Sequence, residues 1–165
     1  MRSPEPSGQL LVRIADSSSD LAAVRELWRE YWKFLDLPGD FQGFDEELKG
    51  LPGVYGADGG ALLIAESASE NAPAGTIALR RLNQSAGEVK RLYLRPAFRG
   101  KGLGRHLLEH VIERAQGMGY EALYADTLPG MKDALSLYAR MGFEIVEAYA
   151  SNPTPGAIFM KLQLR

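Results

Sequence analysis

The sequence contains no cysteine. Disulfides, thiolate nucleophiles and cysteine-bound zinc are therefore excluded. It has no apolar run approaching the ~20 residues that a membrane-spanning helix needs. Its first residues, Met1-Arg2-Ser3-Pro4-Glu5-Pro6-Ser7-Gly8, hold no apolar signal core. Positive charge is not in excess either: 19 Lys and Arg face 21 Asp and Glu, a formal net charge of −2. No broad basic field exists, so nucleic acid is not an expected partner. Together these absences predict a cytoplasmic protein without a membrane or nucleic-acid partner. What is present is 165 residues, 45% hydrophobic, enough for one domain with a sizeable core.

Residues 1–8 read as a loose tail, and 9–165 as a single domain. Gln9 to Ala15 predicts a strand. Ser17 and Asp20 have the spacing of a capping box, and a helix follows with Leu21, Val24, Leu27, Trp28, Tyr31 and Leu35 on one stripe. Leu37-Pro38-Gly39-Asp40 breaks it, and Asp45 to Leu48 predicts a short second helix. Strands are expected at Ala61–Glu66, Gly75–Leu82 and Glu88–Leu94, then a helix at Arg105–Met118. A strand at Glu121–Asp126, a helix at Met131–Met141, and strands at Phe143–Tyr149 and Ala157–Leu164 complete the chain. The order β-α-α-β-β-β-α-β-α-β-β predicts an α/β domain: one mixed, mostly antiparallel sheet with helices on both faces.

The segment Arg99-Gly100-Lys101-Gly102-Leu103-Gly104 lies between the Glu88 strand and the helix after it. Glycines let backbone N–H groups approach an anion, and a helix start adds unpaired N–H groups and a positive dipole end. Arg99, Lys101 and Arg105 add cations, so the loop predicts a phosphorylated cofactor. A mononucleotide P-loop would need Ser or Thr after Lys101, where Gly102 stands. A dinucleotide fingerprint would need its third glycine at Arg105. What fits is Arg-x-x-Gly-x-Gly: Arg99, Gly102, Gly104.

That pattern resembles the acyl-coenzyme A loop of the GNAT superfamily of acyltransferases. Leu92-Tyr93-Leu94-Arg95-Pro96 is similar to the family's strand end and proline exit. Ala134, Leu137, Tyr138, Gly142 and Phe143 resemble its A-x-x-LY-x-x-x-GF segment. The resemblance spans residues 86–145. It implies an N-acetyltransferase that moves an acetyl group from acetyl-CoA to a primary amine, by direct attack in a ternary complex and without a metal.

The resemblance also implies roles. Glu88 stands where the family often has a general base, acting directly or through water. The alternative is a structural ion pair with Arg80 or Lys90. Tyr138 stands where the family's tyrosine faces the coenzyme A sulfur, its alternative being a core tyrosine. Leu92, Tyr93 and Leu94 are expected to offer backbone groups to the pantetheine arm at a bulge. Arg99, Gly100, Lys101, Gly102, Leu103, Gly104 and Arg105 are expected to hold the diphosphate. Many relatives have asparagine where this chain has Met131. Asp126 or Thr127 is expected to stand in for it, and Thr127 and Ala134 complete the cofactor set. Phe34, Phe41, Arg80 and Tyr149 are expected to meet the acceptor, a small and amino-acid-like or other amine. Arg81, Lys90 and Arg91 are further cations on the central strands. Homodimers occur in the family.

Two other classes stay open. One is an acyl-coenzyme A sensor without turnover. The other is a zinc peptidase, since His106-Leu107-Leu108-Glu109-His110 matches H-x-x-E-H. Leu107, Leu108, Val111, Ile112 and Ala115 centre on one helix face, which places both histidines on the opposite, solvated side.

Overall fold

The computed structural model describes residues 10–36, 43–70, 72–150 and 156–164. The expected tail and Phe41 lie outside these residues. Seven strands form one sheet in the order β1-β2-β3-β4-β5-β7-β6. The strands are β1 (Leu10–Ile14), β2 (Ala61–Ser67), β3 (Ala72–Arg81), β4 (Ala86–Leu94), β5 (Ala122–Thr127), β6 (Glu144–Val146) and β7 (Ile158–Gln163). Only β4 and β5 run parallel; every other neighbouring pair is antiparallel.

Helices α1 (Ser18–Leu35) and α2 (Phe44–Lys49) cover one face. Helices α3 (Leu103–Gly117) and α4 (Lys132–Arg140) cover the other. Strand β2 shows why two cores form. Its side chains alternate, so Leu62 and Ile64 join Val24, Leu27 and Trp28, while Leu63 and Ala65 join Leu107 and Val111. A strand covered on both faces reads as an unbroken apolar run, as Ala61–Ala65 does.

Helix α1 starts where the sequence predicts. The Ser17 hydroxyl accepts from the Asp20 N–H at 3.1 Å, and the Asp20 carboxylate accepts from the N–H of Ser17. The same carboxylate takes both ends of the Arg13 guanidinium at 2.6 and 2.7 Å. The buried face of α1 is shifted from the expected stripe. Trp32 is buried, whereas Leu21, Tyr31 and Leu35 are only partly covered. The cause is α2, whose Phe44 stacks on Trp32 at 4.0 Å. The expected strand Phe143–Tyr149 shortens to β6, because β6 is an edge strand paired only with β7 and the chain then leaves the sheet.

Arg13, as the dominant cause, holds the Asp20 carboxyl below the usual carboxylate range. A depressed folded pKa stabilises above the unfolded value and is lost as pH falls below it. Asp20→Asn should therefore cost about 2 kcal/mol at pH 7 in urea titrations, with the gap closing at acid pH. Ser17→Ala should cost about 1 kcal/mol, measured the same way.

Candidate active site

Strands β4 and β5 pair only over Ala86–Val89 against Ala122–Ala125, although both continue further. A bulge explains the parting. Thr76 pairs with Tyr93 and Ala78 with Lys90, so Arg91 and Leu92 together face the single Ile77. Arg91 takes a left-handed φ of 57°, which costs a side-chain-bearing residue about 1–2 kcal/mol. The resemblance implied this bulge; no local feature of the sequence did.

Other contacts repay that strain. The Arg91 guanidinium pairs with Glu47 of α2, and Glu47 accepts a hydrogen bond from the Tyr55 hydroxyl. It also lies 5.0 Å from the Trp32 ring, with Trp28 and Phe44 at 5.8 and 5.9 Å. Neither Glu47 nor Tyr55 stood out in the sequence. They lie far from Arg91 along the chain and belong to no motif.

A cavity opens where β4 and β5 part. Its β4 wall runs from Val89 to Leu92, and its β5 side from Asp126 to Leu128. Tyr31, Trp32 and Leu35 of α1 close one end; Met131, Ala134 and Tyr138 close the other. Since α1 and α4 pack on opposite faces, the gap passes through the sheet. Two buried side-chain polar atoms lack a hydrogen-bond partner among the described residues: Arg91 Nε and Thr127 Oγ1. Both residues line this cavity.

Glu88 lies just before the β4 wall, 1% exposed. Arg80 Nε donates to it at 2.7 Å, the Tyr149 hydroxyl donates at 2.7 Å, and Lys90 Nζ lies 3.9 Å away. The structural pairings foreseen for Glu88 are thus both present. Lys90 also reaches Asp126 at 3.6 Å. Tyr149 is wedged against Tyr124 and Phe159, at 4.8 and 5.3 Å. Burial, and then Glu88, push its phenol pKa up. Arg80 and Tyr149, expected to meet the acceptor, are thereby directed onto Glu88.

Tyr138 is both a core residue and a cavity residue. It is 4% exposed and packs edge-on against Phe143 at 5.0 Å. Among the described residues its hydroxyl makes no hydrogen bond. Burial pushes its pKa up, which keeps the phenol neutral and able to donate.

The glycine loop adopts the conformation its sequence suggests. Gly100 and Gly102 have φ of 78° and 76°, and a Cβ at either would meet nothing within 4 Å. Gly102 caps α3 without a side-chain hydrogen bond, leaving the first-turn N–H groups for an anion. At Gly104 a Cβ would lie 3.3 Å from Leu137 Cδ2, so α3 starts tightly against α4. Arg99 and Arg105 each have a protein partner through Nε. Arg99 donates to the Leu94 carbonyl at 2.8 Å and lies 4.8 Å from the Phe34 ring. Arg105 pairs with Glu109 at 2.9 Å. These bonds use Nε alone and leave the Nη groups of both guanidiniums able to donate.

The profile of the Acetyltransferase (GNAT) family matches residues 21–143. The chain belongs to this family. An uncharacterized N-acetyltransferase of Schizosaccharomyces pombe is 33% identical over 146 residues, covering 88% of this chain and 89% of that one. A GNAT-family acetyltransferase structure from Staphylococcus aureus superposes with a TM-score of 0.81 at 19% identity, over 95% of this chain and all of the other. A Salmonella typhimurium acetyltransferase solved with acetyl-CoA gives 0.73 at 22% identity, over 94% of each.

This GNAT chain is thus an acetyl-CoA-dependent acyltransferase. Its glycine loop, parted strands and unpartnered Thr127 hydroxyl suit such a co-substrate. Phe34, 55% exposed on α1, meets the glycine loop through Arg99. The two histidines of the H-x-x-E-H match stack edge-on at 4.8 Å. Burial, and then His106, hold His110 below its ordinary value. No group of three or more metal-binding side chains occurs among the described residues, which leaves the zinc reading without a ligand set.

Gly102→Ala should lower stability by about 1 kcal/mol, while calorimetry shows coenzyme A binding weakened by at least about tenfold. Thr127→Val removes an unpartnered hydroxyl. Its melting temperature should hold or rise while the KM for acetyl-CoA increases.

Proposed function

We propose that this acetyltransferase transfers the acetyl group of acetyl-CoA to the primary amine of a small molecule, amino-acid-like amines included, in a ternary complex. The observation that carries the reading is the gap through the sheet, with a neutral tyrosine at one end and carboxylates beside the other. The thioester enters from the face of α3 and α4, where the glycine loop holds the diphosphate. Backbone groups of Leu92, Tyr93 and Leu94, with Thr127 and Ala134, align the pantetheine arm. The amine enters from the α1 and α2 face, past Phe34.

The amine nitrogen attacks the thioester carbonyl, the C–N bond forms and the C–S bond breaks. Glu88 takes the amine proton through an intervening water, since its carboxylate is enclosed by Arg80, Tyr149 and Lys90. Tyr138 gives its phenolic proton to the departing thiolate. No enzyme nucleophile is needed, which suits a chain without cysteine. A second reading has its own support: Asp126 lines the cavity itself and sits beside Lys90, so it is the competing proton acceptor.

Thiol release with acetyl-CoA and an amine panel tests the proposal. Glu88→Gln should lower kcat about a hundredfold, with coenzyme A affinity retained. Should Asp126→Asn cause that loss instead, Asp126 is the base. Tyr138→Phe should slow turnover by about tenfold without removing any ionisation below pH 10, because burial keeps this phenol protonated there. Stabilisation by coenzyme A with no thiol released from any amine would mean a sensor.

A further inference from the structure

Arg91 is set apart from the other cations of the central strands. Arg80 is engaged by Glu88, and Lys90 lies between Glu88 and Asp126. Arg91 pairs with Glu47 through Nη2, yet its Nε is buried without a partner among the described residues. Its side chain is only 9% exposed and lines the cavity. A guanidinium can only donate, so the missing partner is an oxygen that accepts. Water-free burial of such a donor is costly unless a partner arrives.

The face on which Arg91 lies narrows the choice. Its guanidinium sits over Trp28 and Trp32, in the core beneath α1 and α2. The glycine loop opens α3, and α3 packs on the opposite face. The cofactor diphosphate is therefore not its partner. The formal charges around the gap also balance: Arg80, Lys90 and Arg91 against Glu47, Glu88 and Asp126. A zwitterion keeps that balance in a confined site, whereas a simple ammonium or a simple carboxylate upsets it.

We propose that Arg91 anchors an anionic oxygen of the acceptor, so that the acceptor is an amine that also carries a carboxylate or a similar oxyanion. The proposal rests on the acetyl-transfer reading above and names its substrate class. The acceptor's acidic group meets Arg91 at the bulge, while its amine faces Asp126 and Glu88 along the same edge of the gap. The aromatic rings and Glu47 hold the guanidinium in place beforehand, so little order remains to be imposed on binding. Its left-handed backbone, which turns the side chain toward Trp32, then serves recognition as well as the bulge.

The test uses matched pairs: L-amino acids with acidic, basic, polar and apolar side chains, and the amines that remain when the α-carboxylate is removed. Thiol release with acetyl-CoA is followed for each. The wild-type protein should favour the carboxylate-bearing member by at least about tenfold in kcat/KM. Arg91→Lys should abolish most of that preference through the acceptor KM, leaving the KM for acetyl-CoA within about twofold. Glu47→Gln keeps a side-chain oxygen to accept from Arg91 Nη2 but no longer cancels its charge, and should lower the KM of the carboxylate-bearing member only. Equal rates for the two members in the wild type overturn the anchor and leave acetyl transfer standing. A rise in the acetyl-CoA KM of Arg91→Lys would instead assign Arg91 to the cofactor and overturn the proposal. Absence of thiol from every amine, with acetyl-CoA still raising the melting temperature, overturns the transfer reading and the anchor together. Should Arg91→Lys fail to fold, the wild-type preference and Glu47→Gln decide.

Discussion

One extra residue in β4 sets the geometry of this molecule. Because Arg91 and Leu92 share the single partner Ile77, β4 bends away from β5 after four residue pairs. Without that bend the parallel pair would close and no passage would cross the sheet. Its cost is a left-handed arginine, and its stabilisation is the ion pair and aromatic packing around that side chain. Helix α2 is short, with only Phe44 and Leu48 buried, yet it supplies both Glu47 and the ring that stacks on Trp32. The distortion of a central strand is thus held by a peripheral element.

Around the gap the two faces carry out different work. On the side of α3 and α4 the wall is largely apolar, and its polar side-chain atoms are the hydroxyls of Tyr138 and Thr127. On the side of α1 and α2 the groups are charged and closely paired: Glu88 with Arg80, Lys90 with Asp126, Arg91 with Glu47. Such a division suits a reaction in which a long, mostly uncharged arm meets a small polar amine. Low exposure of at least one partner strengthens each of these pairs and raises the penalty for any group left alone.

What the sequence made legible was local. The Ser17–Asp20 cap, the glycine spacing and the Ala134–Phe143 segment each depend on residues a few positions apart, and each has its expected form. The element order and the mixed sheet were readable because hydrophobic period changes from strand to helix. The bulge was not, since it depends on how many residues of β4 stand opposite Ile77 in another strand. Arg91 with Glu47 and Glu88 with Tyr149 were hidden for a similar reason: 44 and 61 positions separate the partners. The contact of Arg99 Nε with the Leu94 carbonyl was hidden too, because the loop motif says nothing of where the arginine folds back.

The short β4–β5 seam has a mechanical consequence. Among the described residues, the apolar core under α1 and α2 draws nothing from β5, β6 or β7, while the core under α3 and α4 includes residues from both halves of the sheet. On the former face the halves are stitched across the divide by polar links, from Asp126 to Lys90 and from Tyr149 to Glu88. The protein is therefore two β-plates fastened firmly along one side and by polar clasps along the other. A molecule lodged between the plates acts as a wedge and a tie at once, making occupancy of the site a determinant of how stiff the entire sheet is.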